Sequence, residues 1–195
     1  MFENDFKIVD IDTNSTLGYN QEGEFCISGP TIMKEYLNNP KETEMITEID
    51  KNGKKWLHTG DMGYIDENGI LYYTQRKKRM IVSSGHNVYP KQIEDVICSN
   101  ENVESCVVIG LKHNYKGSVP KAYIVLKKGI KLDKNVIFQI KESCSKNLST
   151  HSVPSELEFI DSEALPETKY GKIDYRALTE MANKKEKVLT LRKTR

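Results

Sequence analysis

No charge of one sign dominates this chain of 195 residues: 29 lysines and arginines stand against 28 aspartates and glutamates, for a formal net charge of +1. A chain so balanced projects no long-range field toward nucleic acid or an anionic membrane. No apolar run approaches the length needed to cross a bilayer. The amino-terminal Met-Phe-Glu-Asn-Asp-Phe-Lys lacks the apolar core of a secretory signal. The four cysteines, Cys26, Cys98, Cys106 and Cys144, show no close Cys-x-x-Cys spacing. That argues against a zinc site or a disulfide framework, and no metal ligands are assigned. Each cysteine lies in an apolar pattern and is expected to be a small core residue. A cytoplasmic protein is the default expectation. A glycine-rich loop of the Gly-x-x-x-x-Gly-Lys-Ser/Thr kind is also lacking: Gly171-Lys172 has neither the preceding glycine nor the following hydroxyl.

What is present divides the chain in two. Residues 1–75 read as strands and turns, with strands near 6–11 and 24–28 and a short helical piece over 41–47. Residues 79–195 read as an α+β unit, with helices laid on a sheet. A small hairpin over 80–88 leads to a helix over 91–99 that carries Ile93, Val96 and Ile97 on one face. Strands follow over 103–111 and 122–126, with a turn at Lys116-Gly117. A helix over 133–148 aligns Val136, Ile140 and Cys144. A strand over 156–160 precedes the Gly171-Lys172 turn, and the last helix is expected over 175–187. The basic stretch 184–195 is expected to be frayed.

Three stretches carry candidate chemistry. In Leu165-Pro166-Glu167-Thr168-Lys169-Tyr170-Gly171-Lys172-Ile173-Asp174, the glycine permits a tight turn. The lysine that follows then stands at the tip of a loop held by ordered structure. A compact ammonium on a long stem suits a phosphate or a developing carboxylate charge. In Trp56-Leu57-His58-Thr59-Gly60-Asp61, a strand meets a Gly-Asp bend, and a hairpin then turns at Glu67-Asn68-Gly69. Asp61 at the mouth of that hairpin can accept two hydrogen bonds from a vicinal diol such as a ribose, or it can cap its own turn. In Gln75-Arg76-Lys77-Lys78-Arg79-Met80-Ile81-Val82-Ser83-Ser84-Gly85-His86-Asn87-Val88-Tyr89-Pro90, four cations lead into an apolar pair, a small-residue turn and a proline placed to open a helix. A basic run is most often a solvated face and less often a nucleic-acid patch.

In this order and spacing, the three stretches resemble the adenylate-forming superfamily of acyl-CoA synthetases, luciferases and peptide-synthetase adenylation domains. The resemblance extends to Gly23-Glu24-Phe25-Cys26-Ile27-Ser28-Gly29-Pro30, to Tyr36-Leu37-Asn38-Asn39-Pro40-Lys41-Glu42-Thr43 and to Tyr175-Arg176-Ala177-Leu178. The wording Ser84-Gly85-His86-Asn87-Val88-Tyr89-Pro90 is similar to acyl-CoA synthetases more than to peptide-synthetase domains. The superfamily's Ser/Thr/Gly-rich phosphate loop and its aromatic-Gly-x-Thr-Glu segment do not occur in the chain. The resemblance therefore implies the carboxy-terminal third of such an enzyme: the β-rich end of the large domain over 1–76, then the small mobile domain over 77–195.

The resemblance implies roles as well. A carboxylic acid attacks the α-phosphate of ATP to give acyl-AMP, and the acyl group then passes to the thiol of CoA, with Mg²⁺ assisting. Lys172 would be the catalytic cation of the first step. Asp61 would bind the ribose hydroxyls of ATP or AMP, with Arg76 holding the same sugar. Lys78 takes the hinge position, and Gly85 lies in the loop that lets the CoA pantetheine arm pass. Glu94 fits a motif position and reads as structural. Gln75, His113-Asn114 and Ser118 depart from the family wording. The implied partners are an amino-terminal domain in the same or a separate chain and a carboxylic acid substrate. Such a portion is expected to be inactive alone. The alternatives are a non-catalytic docking or regulatory module, a fragment of an amino-acid adenylation domain, and a nucleic-acid binder built on residues 76–79. The balanced charge and the lack of interleaved aromatics argue against the last.

Overall fold

The computed structural model describes residues 3–193, with side chains described through Lys184. The chain forms two compact units, Met1–Lys78 and Arg79–Arg195.

The first unit is an antiparallel sheet built from β1 (Asp5–Val9), β2 (Gly23–Ser28), β3 (Thr47–Ile49), β4 (Lys55–Ile65) and β5 (Leu71–Arg76). The order is β1-β2-β4-β3, with β5 paired to β4. The expected Asn-Gly turn joins β4 to β5. Asp66 Oδ1 accepts from the amides of Asn68 and Ile70, and Gly69 sits at φ 79°. That conformation favours a residue without Cβ. The short α1 (Pro40–Ile46) has Pro40 in its first turn and Asn39 as its cap, Oδ1 accepting from the Glu42 amide at 3.3 Å. The core is small: Val9, Cys26 and Trp56 form its buried cluster.

A buried charge network supplements that core. Glu24, on β2, is 3% exposed. Its Oε2 lies 3.2 Å from Nδ1 of His58 and 2.7 Å from Nζ of Lys77, and its Oε1 accepts from the Gly60 amide at 3.0 Å. Burial alone raises a carboxyl pKa. Here the hydrogen bonds and charges of His58 and Lys77 outweigh it and hold Glu24 down at about 2. The contact with Cys26 Sγ, 3.4 Å from Nδ1, and then the Glu24 carboxylate hold the His58 imidazole up at about 10, against its burial.

The second unit carries β6 (Ile81–Ser83), β7 (His86–Val88), β8 (Val103–His113), β9 (Gly117–Leu126) and β10 (Glu156–Phe159). Strand β9 is the centre of this sheet. It pairs along its length with antiparallel β8, runs parallel to β10 over Lys121 to Ile124, and meets β6 at Gly117. Both central strands are longer than the sequence pattern suggests, because their ends pair across the turn before Gly117. Period-two alternation sends Cys106 and Val108 to one face, where they pack with α2 (Pro90–Cys98) and α3 (Lys134–Asn147). It sends Val107, Ile109 and Leu111 to the other, where they join Leu165, Leu178 and Ala182 in a second cluster that includes α4 (Tyr175–Lys193). The sheet is thus covered on both faces. Buried Lys121 ties β9 to β10 through Glu156 and Glu158, each at 2.8 Å. These two carboxylates hold its pKa above the usual lysine range although burial opposes the charge.

Two details differ from the sequence expectations. Cys98 is exposed, while Cys26, Cys106 and Cys144 are buried. It follows the fully buried Ile97 by one residue, about 100° around the helix, and so leaves the buried face. The last helix continues past the expected end near 187 to Lys193, and residues 194–195 of the stretch expected to fray lie outside the described residues.

Glu94 fixes the start of the second unit. Its Oε1 accepts from the Val108 amide at 2.9 Å and pairs with Arg79 Nη2 at 2.5 Å. The Arg79 guanidinium lies 4.3 Å from the centroid of the Tyr175 ring. Glu94→Ala leaves a partly buried guanidinium and a buried amide without their acceptor. It should cost roughly 3 kcal/mol, while Glu94→Gln, which keeps an acceptor for Val108, should cost less. Urea unfolding by circular dichroism checks the order. The first unit should have a distinct pH signature. The folded His58 pKa of about 10 lies above its ordinary 6.5, so its contribution is complete below 6.5 and lost as pH rises through 10. The folded Glu24 pKa of about 2 lies below 4.5, so its contribution is complete above 4.5 and lost as pH falls through 2. Unfolding followed by the fluorescence of Trp56, the single tryptophan, should show highest stability between pH 4.5 and 6.5. His58→Gln should flatten the alkaline decline.

Candidate active site

Asp61 stands on a bulge. Strand β2 pairs Glu24 with Met62 and Cys26 with His58, so the three β4 residues 59–61 lie opposite Phe25 alone. The ladder cannot satisfy so much extra backbone, and side chains take over. The Thr59 hydroxyl donates to the Phe25 carbonyl at 2.9 Å and accepts from the Asp61 amide at 3.1 Å. The Gly60 amide donates to Glu24, and Gly60 sits at φ 71°.

On its other edge, β4 places Asp61 directly opposite Arg76 of β5. Asp61 Oδ1 receives Nε of Arg76 at 2.9 Å, and Arg76 Nη1 donates to the Thr59 carbonyl at 3.3 Å. The hairpin therefore brings together two residues singled out in the sequence fifteen positions apart. The Arg76 side chain is 59% exposed and that of Asp61 29% exposed, so the pair faces solvent. An ionised carboxylate has about four acceptor positions, enough for the arginine and for two hydroxyls of a diol. Gln75, beside Arg76, is 2% exposed, and neither amide atom has a hydrogen-bond partner among the described residues.

Lys77–Arg79 forms a single 3-10 turn, and the first compact unit ends at Lys78. Lys78 is exposed, whereas its neighbours are tied: Lys77 to Glu24 and Arg79 to Glu94.

Gly85 and Lys172 occupy different turns of the second unit. Gly85 follows Ser84 in the two-residue turn between β6 and β7, at φ 80° and 51° respectively. Two positive φ values suit the twist of a tight hairpin. Among the described residues, no atom lies within 4 Å of the place a Gly85 Cβ would take. The glycine opens onto a groove of about 720 Å³ that Lys112, Tyr115 and Lys116 also line. Lys172 sits on a turn closed by the Gly171 amide on the Thr168 carbonyl at 3.0 Å and the Thr168 amide on the Lys172 carbonyl at 2.7 Å. Gly171 takes φ 69°, and the Lys172 side chain is exposed. The turn is rooted in the fold on both sides. Leu165 before it and Leu178 after it are buried together, and the Asp174 carboxylate caps α4 through the Ala177 amide at 2.9 Å.

Two residues were missed in the sequence. Glu24 lies in the run Gly23–Pro30, which carries no role of its own in the sequence, and His58 reads there only as part of a strand. A glutamate beside the apolar Phe25-Cys26-Ile27 run signals a buried carboxylate in search of a cation, but not which cation. Among the described residues, no group of three or more His, Cys, Asp or Glu side chains is arranged to hold a metal ion.

Comparison with known proteins bears on the family and the fold. Residues 92–172 match the model of the AMP-binding enzyme C-terminal domain. A long-chain-fatty-acid–CoA ligase of Bacillus subtilis is 39% identical over 160 residues, 82% of this chain and 27% of the relative. A luciferin 4-monooxygenase of Photinus pyralis is 35% identical over 181 residues, 93% of this chain and 32% of the relative. The ATP-bound structure of MatB from Rhodopseudomonas palustris superposes with a TM-score of 0.79 at 29% identity, over 91% of this chain and 34% of that one. The Bacillus subtilis o-succinylbenzoate CoA synthetase bound to its acyl-adenylate intermediate gives 0.72 at 30% identity, over 90% and 33%. The chain spans about a third of the length of the relatives it matches. With the family's domain in its second unit and this agreement across both, the chain belongs to the adenylate-forming superfamily of AMP-binding enzymes and carries that family's C-terminal domain.

Proposed function

We propose that this chain is the carboxy-terminal part of an ATP-dependent acyl-CoA ligase. The observation that carries the reading is the Asp61–Arg76 pair at 2.9 Å. It sets a solvent-facing carboxylate, held on a bulge, where the family motif calls for the ribose ligand. The names of the relatives, mostly CoA ligases, supply the reaction class.

In this reading Asp61 accepts the two ribose hydroxyls of ATP, and Arg76 keeps the carboxylate oriented. Lys172 meets the phosphoryl charge. Attack of a carboxylate on the α-phosphate brings two anions together, and a positioned ammonium stabilises the charge that spreads over the phosphoryl oxygens. Mg²⁺ would arrive with the nucleotide phosphates. A bond forms from the carboxylate oxygen to the α-phosphorus, the bond from that phosphorus to the α,β-bridging oxygen breaks, and pyrophosphate leaves. The thiol of CoA then attacks the acyl carbonyl, and AMP is released. The open space at Gly85 accommodates the pantetheine arm in the second step. Residues 1–76 act as the end of the large domain and 77–195 as the mobile one, with Lys78 absorbing the dihedral change between the two steps. The 195 residues contain no phosphate loop, so turnover by them alone is not expected.

Two outcomes test this in the complete protein. Lys172→Ala should slow pyrophosphate release from ATP and the acid by about 10²–10³-fold, the usual worth of one transition-state charge contact. It should leave CoA thioester formation from supplied acyl-AMP nearly intact. Equal loss in both half-reactions contradicts the role. Lys78→Pro fixes φ near −65° and removes an amide donor. One half-reaction should survive while the full cycle fails. Full cycle rates in proline variants at 77, 78 and 79 would remove the hinge.

A further inference from the structure

We propose that Glu24 is a positioning residue for the nucleotide site, fixing with one buried carboxylate both the Gly60–Asp61 bend and the segment that follows Arg76. The inference rests on the reading of Asp61 and Arg76 as the ribose-binding pair. Glu24 touches no substrate itself, since its side chain is 4% exposed.

Its two oxygens act on different segments. Oε1 accepts from the Gly60 amide at 3.0 Å, and Oε2 takes Lys77 Nζ at 2.7 Å. The first contact replaces a ladder bond that the bulge at 59–61 removes. Without it the Gly60 amide is an unmet donor next to the residue that must hold a diol. The second contact fixes the residue immediately after Arg76. Asp61 and Arg76 pair across two strands, so their spacing depends on both backbones. A single carboxylate that holds the Gly60 amide with one oxygen and the Lys77 ammonium with the other constrains that spacing from both strands. His58 supports it from the third side, with Nδ1 at 3.2 Å from Glu24 Oε2 and Nε2 at 3.4 Å from Glu48 Oε2.

The chemistry of the pair also favours positioning over mere stability. A carboxylate used only to cap the bulge needs no cation. A cation used only to solvate the surface needs no buried partner. Charge-assisted hydrogen bonds are short and geometrically demanding, and this carboxylate makes them to the residue before Asp61 and the residue after Arg76, at the end of the β4–β5 ladder where those two pair. The consequence for the reaction is specific. Loosening Glu24 should weaken ATP binding while leaving the chemical step, which depends on Lys172, largely untouched.

The test is adenylation kinetics on the complete protein carrying Glu24→Gln, Lys77→Met, or both. Glutamine keeps an acceptor for Gly60 but presents no charge to Lys77. Lys77→Met cuts the same link from the accessible end and guards against a folding defect at the buried site. Each single variant should raise KM for ATP by about tenfold, the worth of one charge-assisted hydrogen bond. The kcat should stay within about twofold, because no transition-state contact is lost. The double variant should be no worse than the worse single, because both changes cut one link. A KM for ATP unchanged in both singles overturns the proposal. So does a fall in kcat at constant KM, or multiplication of the two KM effects in the double. Asp61→Ala run alongside separates the two levels. If it raises KM for ATP and Glu24→Gln does not, only the positioning role falls. If Asp61→Ala leaves KM for ATP unchanged, the ribose assignment falls, and the role of Glu24 falls with it.

Discussion

Two buried carboxylates hold the basic run 76–79, one in each unit. Glu24 takes Lys77 and Glu94 takes Arg79. Each is a costly charge to bury, tolerable because a cation and a backbone amide meet it: Gly60 for Glu24 and Val108 for Glu94. Their consequence is local rigidity on either side of one exposed residue, Lys78. The first compact unit ends at that residue. Its neighbours on either side are tied to different sheets, which supports the hinge role proposed for it.

The two sheets then serve as platforms. In the first unit the platform is thin, with a small apolar cluster supplemented by the Glu24–His58–Lys77 charges. The bulge at 59–61 lifts Asp61 out of the β2–β4 ladder while leaving it paired with Arg76 in β4–β5. In the second unit the sheet is buried on both faces. The Lys172 turn is anchored by Leu165 and Leu178 in one of those clusters. An exposed ammonium on a rooted turn combines a mobile charge with a fixed origin, which transfer chemistry on a phosphate requires.

Much of this was legible in the sequence because it is local. The Asn68-Gly69 turn, Pro90 at the start of α2, and the four-residue spacing of Val136, Ile140 and Cys144 each follow from short-range rules, and all appear. So does the positive φ of Gly171. What was not legible depends on register between distant segments. Glu24 meets His58 and Lys77 across 34 and 53 residues, and no pattern in Gly23-Glu24-Phe25 names those partners. The bulge that isolates Asp61 is a mismatch between two strands and leaves no mark in either one. The second buried face of the β8–β9 sheet needed α4 folded back over it. Cys98 looked like a core residue because its neighbours are, yet one step along a helix turns a side chain by 100°. The buried, unpartnered amide of Gln75 has no explanation in the structure.

The assignment of Asp61 to a ribose diol is the claim on which the functional account most depends, and the diol itself can be removed. The measurement is KM for ATP against 3′-deoxy-ATP in adenylation by the complete protein and its Asp61→Ala variant. The wild type should discriminate against the deoxy nucleotide by about tenfold, the loss expected when a charged acceptor loses its hydroxyl. The variant should bind both nucleotides about equally and weakly. Discrimination of the same size in both proteins would contradict the assignment, because the hydroxyl would then be read by some other group.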